Sequence, residues 1–140
     1  MDVIAIRTGA APPGWREVLA ATADRTGCPM LLLPADSVKG RLHAVSAVEH
    51  AERAFSRGEN RARTREVEAL LYLLGERQAS AALEQAAPGA DNVLIAWGER
   101  AGEAATRALE RLGPSRGPLE DLVAGTLEAL ERTALLDLDR

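Results

Sequence analysis

The chain has 140 residues, of which 46% are hydrophobic and 27% charged, and its net charge is -4. This composition fits one globular domain over residues 1–140, and it excludes both a disordered chain and a membrane protein with long apolar spans. Its one cysteine, Cys28, excludes an internal disulfide and a cysteine-based zinc site. Met1 is followed by a strand-like run instead of a basic leader, so the sequence predicts a cytoplasmic protein that does not contact membranes.

Positive charge is concentrated in the middle of the chain. Residues 39–65 carry seven Lys or Arg against three Glu, a net charge of +4, whereas residues 1–38 carry -1 and residues 66–140 carry -7. A basic segment in an acidic chain indicates a face that binds a polyanion. A solvated helix face would produce the same pattern, so both interpretations stay open at this point.

The first quarter of the chain is predicted to contain two short strands and a helix. Apolar and β-branched residues predict a strand over Val3–Ile6. Apolar residues at helical spacing then predict a helix over Trp15–Thr26, closed by Gly27. Met30–Leu33 is apolar, short and flanked by prolines, which favours a second strand.

A long helix is predicted over Val38–Phe55, with Asp36 or Ser37 as its N-cap. Its inner face is predicted to hold Val38, Leu42, Val45, Val48 and Phe55. Its polar face is predicted to carry Lys39, His43, His50 and Arg53. The two histidines are two turns apart, which is too far for joint binding of one metal ion without other ligands.

An unusual polar corner follows this helix and the basic loop Ser56–Arg63. Apolar residues predict a buried helix over Glu66–Leu74, and Gly75 supplies the left-handed residue that ends such helices. Arg77 and Gln78 follow at once. We expect these two polar side chains to lie in the corner before the next helix.

The rest of the chain is predicted to contain further helices and one or two strands. Helices are expected from Ala79 to about Ala87, over Glu99–Leu112 and over Pro118–Thr133, with a strand over Asn92–Trp97. The inner face of the first of these helices is predicted to hold Ala79, Ala82 and Leu83. The alternation of apolar and acidic residues over Leu135–Leu138 permits a fourth strand.

Three to four short strands among about six helices predict a small α/β or α+β fold with an antiparallel or mixed sheet. Glycine-rich nucleotide motifs, HExxH, CxxC and GxSxG are absent from the sequence. Glu66 and Glu68 are two residues apart on a helix, so they point to different sides and make a poor acid–base pair. The sequence therefore predicts a protein without catalytic activity, cofactor or metal.

The segment Glu68–Leu83, E-A-L-L-Y-L-L-G-E-R-Q-A-S-A-A-L, resembles the PRPK-binding protein family, the small KEOPS-complex subunit of archaea and eukaryotes. The glycine followed by x-Arg-Gln is the most specific part of the likeness. Weaker matches occur in the expected order at Ile4–Gly9, A-D-S-V from Ala35, L-H-A from Leu42, N-V-L-I-A from Asn92 and R-T-A-L-L-D-L from Arg132. The likeness therefore covers nearly the whole chain.

The resemblance implies a non-catalytic subunit of the complex that makes threonylcarbamoyladenosine beside the tRNA anticodon. Such subunits bind the complex's small atypical kinase and the single-stranded 3′ CCA end of tRNA, and meet the other KEOPS subunits indirectly. Arg77 and Gln78 match the family motif, although capping and hydrogen bonding between helices would also explain them. Charge and expected proximity add Lys39, His43, Arg63 and Arg65 to the RNA-binding candidates.

In the family the kinase meets the C-terminal helical region. The corresponding apolar stripe in this sequence consists of Leu119, Leu122, Val123, Leu127 and Leu130. Most of such a stripe is expected to belong to the protein's own core. The alternative to the KEOPS function is a small protein-binding or homodimeric regulatory protein that does not bind RNA.

Overall fold

The computed structural model describes residues 1–120 and 123–138 and has an α+β fold. Its strands are β1 Asp2–Thr8, β2 Met30–Pro34, β3 Asn92–Gly98 and β4 Ser115–Pro118. Its helices are α1 Trp15–Thr26, α2 Arg41–Ser56, α3 Arg65–Leu74, α4 Ala79–Gln85, α5 Ala101–Leu112 and α6 Val123–Leu138, with a 3-10 turn at Ala35–Ser37. The predicted class and its small antiparallel sheet are confirmed.

Contacts divide the chain into two compact units. The sheet unit comprises Met1–Asp36 and Pro88–Leu119, and the helical unit comprises Ser37–Ala87 and Glu120–Arg140. The organisation of residues 1–140 as one domain stays a prediction.

The sheet unit is built on a four-stranded sheet in the order β2-β3-β1-β4, in which every neighbouring pair is antiparallel. Helices α1 and α5 pack against each other and against the sheet. They bury a core that consists of Leu19, Cys28, Met30, Leu32, Leu94, Ala96, Ala104, Ala105 and Ala108. Cys28 belongs to this core and is 2% exposed.

The helical unit is centred on the antiparallel pair α2 and α3, which also contacts α6. Four alanines of α2 are almost completely buried, namely Ala44, Ala47, Ala51 and Ala54. Such small residues allow α3 to approach closely, and α3 in turn is buried from Glu68 to Leu73. The sequence thus forms a helix hairpin whose second helix is enclosed over most of its circumference.

The fourth strand is not where the sequence placed it. The prediction of a strand over Leu135–Leu138 is wrong, because these residues continue α6. Ala129, Thr133 and Leu136 recur at helical spacing and are all buried, which explains why the helical period continues. The edge strand is instead Ser115–Pro118, in a segment predicted as loop and helix start.

The start and the inner face of α2 also differ from the prediction. Gly40 has φ 148 and ψ 175, so the helix begins after it, at Arg41, and not at Val38. His43 is buried with 1% exposure, whereas Leu42 is 48% exposed, so the predicted positions of both side chains are wrong. The buried stripe of α2 consists mainly of its alanines. The prediction relied on the spacing of the larger apolar residues and therefore placed the inner face incorrectly.

Candidate nucleic-acid interface

The polar corner predicted after α3 is present in the helical unit. Gly75 adopts φ 64 and ψ 34 and ends the helix, while the amide of Glu76 donates a 2.9 Å hydrogen bond to the Leu71 carbonyl. Arg77 and Gln78 are exposed in the short connection to α4. The side chain of Gln78 stands at the N-cap of α4 but makes no capping hydrogen bond. Capping therefore does not account for the glutamine.

A small cavity of about 210 Å³ lies at this corner. It is lined by Gly75, Arg77, Arg132, Leu135 and Leu136. It is smaller than the roughly 300–1,000 Å³ of pockets that enclose a whole ligand, so it suits one group of a larger ligand. Two guanidinium groups beside apolar leucine side chains can receive a negatively charged group together with a flat apolar one.

Helix α6 supplies three of the five residues that line this cavity and is tied to α3 by a buried threonine. The hydroxyl oxygen of Thr133 lies 3.1 Å from the Tyr72 carbonyl and 3.1 Å from the Ala129 carbonyl. Arg132 precedes this threonine in α6. A Cβ atom added to Gly75 would lie 3.9 Å from the Cβ of Arg132. The hydroxyl contact therefore holds α6 where its arginine flanks the corner.

His43 connects the beginning of α2 with the end of α3. The amide of Lys39 donates a 3.0 Å hydrogen bond to Nδ1 of His43. Burial lowers the pKa of His43 to about 4, a hydrogen bond with the Leu73 backbone opposes this shift, and the charges of Arg132 and Lys39 lower the pKa further. The imidazole is thus neutral at pH 7, and both cations lie close enough to act on it.

The other two arginine candidates, Arg63 and Arg65, lie at the opposite end of α3. This helix has ten residues, and a rise of about 1.5 Å per residue gives a length of about 15 Å. Nε of Arg65 lies 3.1 Å from Oε2 of Glu52, and its guanidinium lies 5.0 Å from the Phe55 ring centroid. Arg63 is exposed and forms no ion pair among the residues that the structure describes.

A buried carboxylate holds the basic loop against this end of α3. Glu68 is 0% exposed, and its Oε1 accepts 2.9 Å hydrogen bonds from the amides of Arg61 and Ala62. Thr64 caps α3 by accepting a 3.2 Å hydrogen bond from the Val67 amide. The exposed guanidinium groups therefore project from a backbone that is fixed in place, and no sequence motif indicated this role for the glutamate.

The structure thus divides the predicted RNA-binding residues into two groups. Lys39, His43, Arg77 and Gln78 lie around the corner after Gly75, whereas Arg63 and Arg65 lie at the far end of α3. Sequence reasoning missed Arg132, Leu135 and Leu136, although they belong to the C-terminal R-T-A-L-L-D-L match. That match contains all three residues and is the sequence signal that points to them.

The predicted kinase-binding stripe lies only partly within the described residues. Leu119 follows β4 in the sheet unit, where its amide donates a 3.0 Å hydrogen bond to the Ala5 carbonyl, so its predicted position in the last helix is wrong. Leu122 lies outside the described residues, and Val123 and Leu127 lie in α6 with side chains outside the described part. Leu130 is half-buried in α6.

Comparison of the sequence with protein-family models found no match, and comparison with curated proteins found none either. Over the residues that the structure describes, no cluster of His, Cys, Asp and Glu is suited to hold a metal ion. Within the same ranges, no helix combines the length and apolar character needed to cross a membrane.

Proposed function

We propose that this chain is a cytoplasmic, non-catalytic subunit of a KEOPS-type assembly, which binds the 3′ CCA end of tRNA and the atypical kinase of that assembly. The corner after Gly75 is the observation that carries the RNA half of the proposal. There Arg77 and Arg132 flank a cavity with leucine walls, beside the positive charge of Lys39. Gly75 and Arg77, two residues of the family motif, line this cavity.

The chemistry of the corner suits a single-stranded end more than a duplex. A free 3′ end can place one unstacked base against leucine side chains while its phosphates accept hydrogen bonds from guanidinium groups. A cavity of about 210 Å³ accepts one such base at a time. His43 has 1% exposure, so it takes a supporting role in this proposal and positions Lys39 instead of contacting RNA.

Binding of intact tRNA and of tRNA that lacks its CCA end tests this proposal. We expect the truncated tRNA to bind more weakly, and we expect Arg77→Gln and Arg132→Gln each to weaken binding of intact tRNA by about tenfold or more, since each removes a charge-assisted hydrogen bond. Electrophoretic mobility shift or fluorescence anisotropy measures these affinities.

Arg7→Gln is the matched control, because Arg7 is an exposed arginine in β1, outside the helical unit. It removes the same charge and is expected to leave the preference for the CCA end unchanged. Equal affinity for both tRNAs, or none for either, would contradict the RNA half of the proposal. Capture of the kinase without any tRNA binding would favour the alternative, a protein-binding module.

A further inference from the structure

A second charged depression lies in the sheet unit, and none of its lining residues belongs to the corner after Gly75. It is a groove of about 590 Å³ bordered by α1 and α5, and its size falls within the roughly 300–1,000 Å³ of small-molecule sites. Its charged lining consists of Glu17 and Arg25 from α1, and of Arg107, Glu110 and Arg111 from α5. Three guanidinium groups and two carboxylates therefore surround one space.

The guanidinium group of Arg107 lacks a good partner inside the protein. Its Nε is buried without a hydrogen-bond acceptor among the described residues. The nearest carboxylate is that of Glu103, 3.8 Å away, which is beyond hydrogen-bond distance and is already engaged by Arg100. A buried donor left without a good acceptor is costly, and other atoms of the same side chain line the groove.

Among the described residues, the other charged side chains of the groove form no ion pair. In the described part of the chain, Glu17, Arg25, Glu110 and Arg111 form no ion pair with each other or with other side chains. Arg107 and Arg111 are four residues apart on α5, so their like charges lie on one face and repel each other. A bound anion would relieve this repulsion.

We infer that this groove binds a small sugar phosphate. The arginine side chains suit the phosphate, because each planar guanidinium group can donate two hydrogen bonds to phosphate oxygens. The carboxylates of Glu17 and Glu110 are acceptors only, so they suit the hydroxyl groups of a sugar. The lining contains no aromatic side chain, which makes a stacked nucleobase a poor occupant.

The test is a titration of the full chain with ribose 5-phosphate, followed by ¹H–¹⁵N NMR and by calorimetry. Saturable shifts of α1 and α5 amides are expected. The double variant R107Q/R111Q is expected to raise the dissociation constant by about tenfold or more. Ribose without phosphate, and inorganic phosphate without sugar, are each expected to bind more weakly than the ester.

Arg7→Gln again serves as the matched control, since it removes a positive charge from the same unit outside the groove and is expected to leave the affinity unchanged. Circular dichroism establishes that the double variant is folded. The inference is overturned by an absence of shifts in α1 and α5, by an unchanged affinity in the folded double variant, or by ribose or inorganic phosphate binding as tightly as the ester. Shifts of these amides with tRNA but not with ribose 5-phosphate would overturn it as well, and none of these outcomes depends on the CCA-end proposal.

Discussion

At the scale of single residues, the buried imidazole of His43 connects the stability of the helical unit to pH. Nδ1 accepts from the Lys39 amide, so this nitrogen must be unprotonated for the hydrogen bond to exist. Burial and the charges of Arg132 and Lys39 oppose protonation, and only the bond with the Leu73 backbone favours it. The residue therefore acts as a neutral link between the beginning of α2 and the end of α3.

Because the pKa of His43 is about 4 in the folded chain and near its ordinary value of 6.5 in the unfolded chain, protons bind preferentially to the unfolded state. The stabilisation by neutral His43 is thus complete above pH 6.5 and is lost as the pH falls from 6.5 towards about 4. We expect this loss to reach at most about 1.4 kcal/mol per pH unit in the free energy of unfolding. Urea unfolding across this range measures it.

The contribution of His43 is isolated by difference, since carboxyl groups also titrate below pH 6. In His43→Gln the slope of the unfolding free energy against pH is expected to be smaller than in the unmodified chain. An identical slope in the His43 variant and the unmodified chain would contradict the proposed link.

At the scale of elements, the end of α3 depends on the backbone conformation of Gly75. Its φ of 64 is in the left-handed region, and a Cβ there would meet only the Cβ of Arg132, at 3.9 Å. Gly75→Ala is therefore expected to destabilise the protein by about 1 kcal/mol through backbone strain without a clash, and Gly75→Asn by less, because asparagine tolerates this region better. Urea unfolding of the two variants measures the difference.

Gly89→Ala is the matched control for this change. Gly89 has no positive φ to preserve, and a Cβ there would meet nothing within 4 Å. Its substitution is expected to change the free energy of unfolding by no more than about 0.5 kcal/mol. A loss at Gly75 no larger than the loss at Gly89 would show that the left-handed residue does not determine the end of α3.

Most elements were predictable because their signals are local. Gly27 and Gly75 ended helices as expected, and the apolar run at Asn92–Trp97 formed the most buried strand. β4 was not predictable, because Ser115–Pro118 has no apolar alternation and is held by pairing with β1. The stripe of α2 was missed for a related reason: alanine carries little weight in periodicity, yet it decides how closely two helices approach.

At the scale of the whole molecule, charge is distributed so that one segment of an acidic chain can meet a polyanion. Residues 39–65 carry +4 within a net charge of -4, and sequence alone revealed this. Sequence did not reveal that this segment places positive charge at both ends of α3. Lys39 lies beside His43, which bonds with the Leu73 backbone near the end of the helix, whereas Arg63 precedes its start. Nor did sequence reveal the groove beside α5, whose arginines look like ordinary helix-surface residues.

This arrangement predicts different roles for the two ends of α3 in tRNA binding. If the corner holds the CCA end, the basic loop about 15 Å away along the helix is placed to contact backbone phosphates farther along the acceptor arm. Arg63 has no carboxylate partner in the described part of the chain, whereas Arg65 is paired with Glu52. Arg63→Gln is therefore expected to flatten the salt dependence of tRNA binding by about 0.7–0.9 in the slope of log K against log salt, and Arg65→Gln by less, because its charge is already partly neutralised. Affinities measured over a salt series give both slopes. If Arg63→Gln had the same salt slope as the unmodified chain and kept the preference for the CCA end, the loop would lie outside the interface and binding would be confined to the corner.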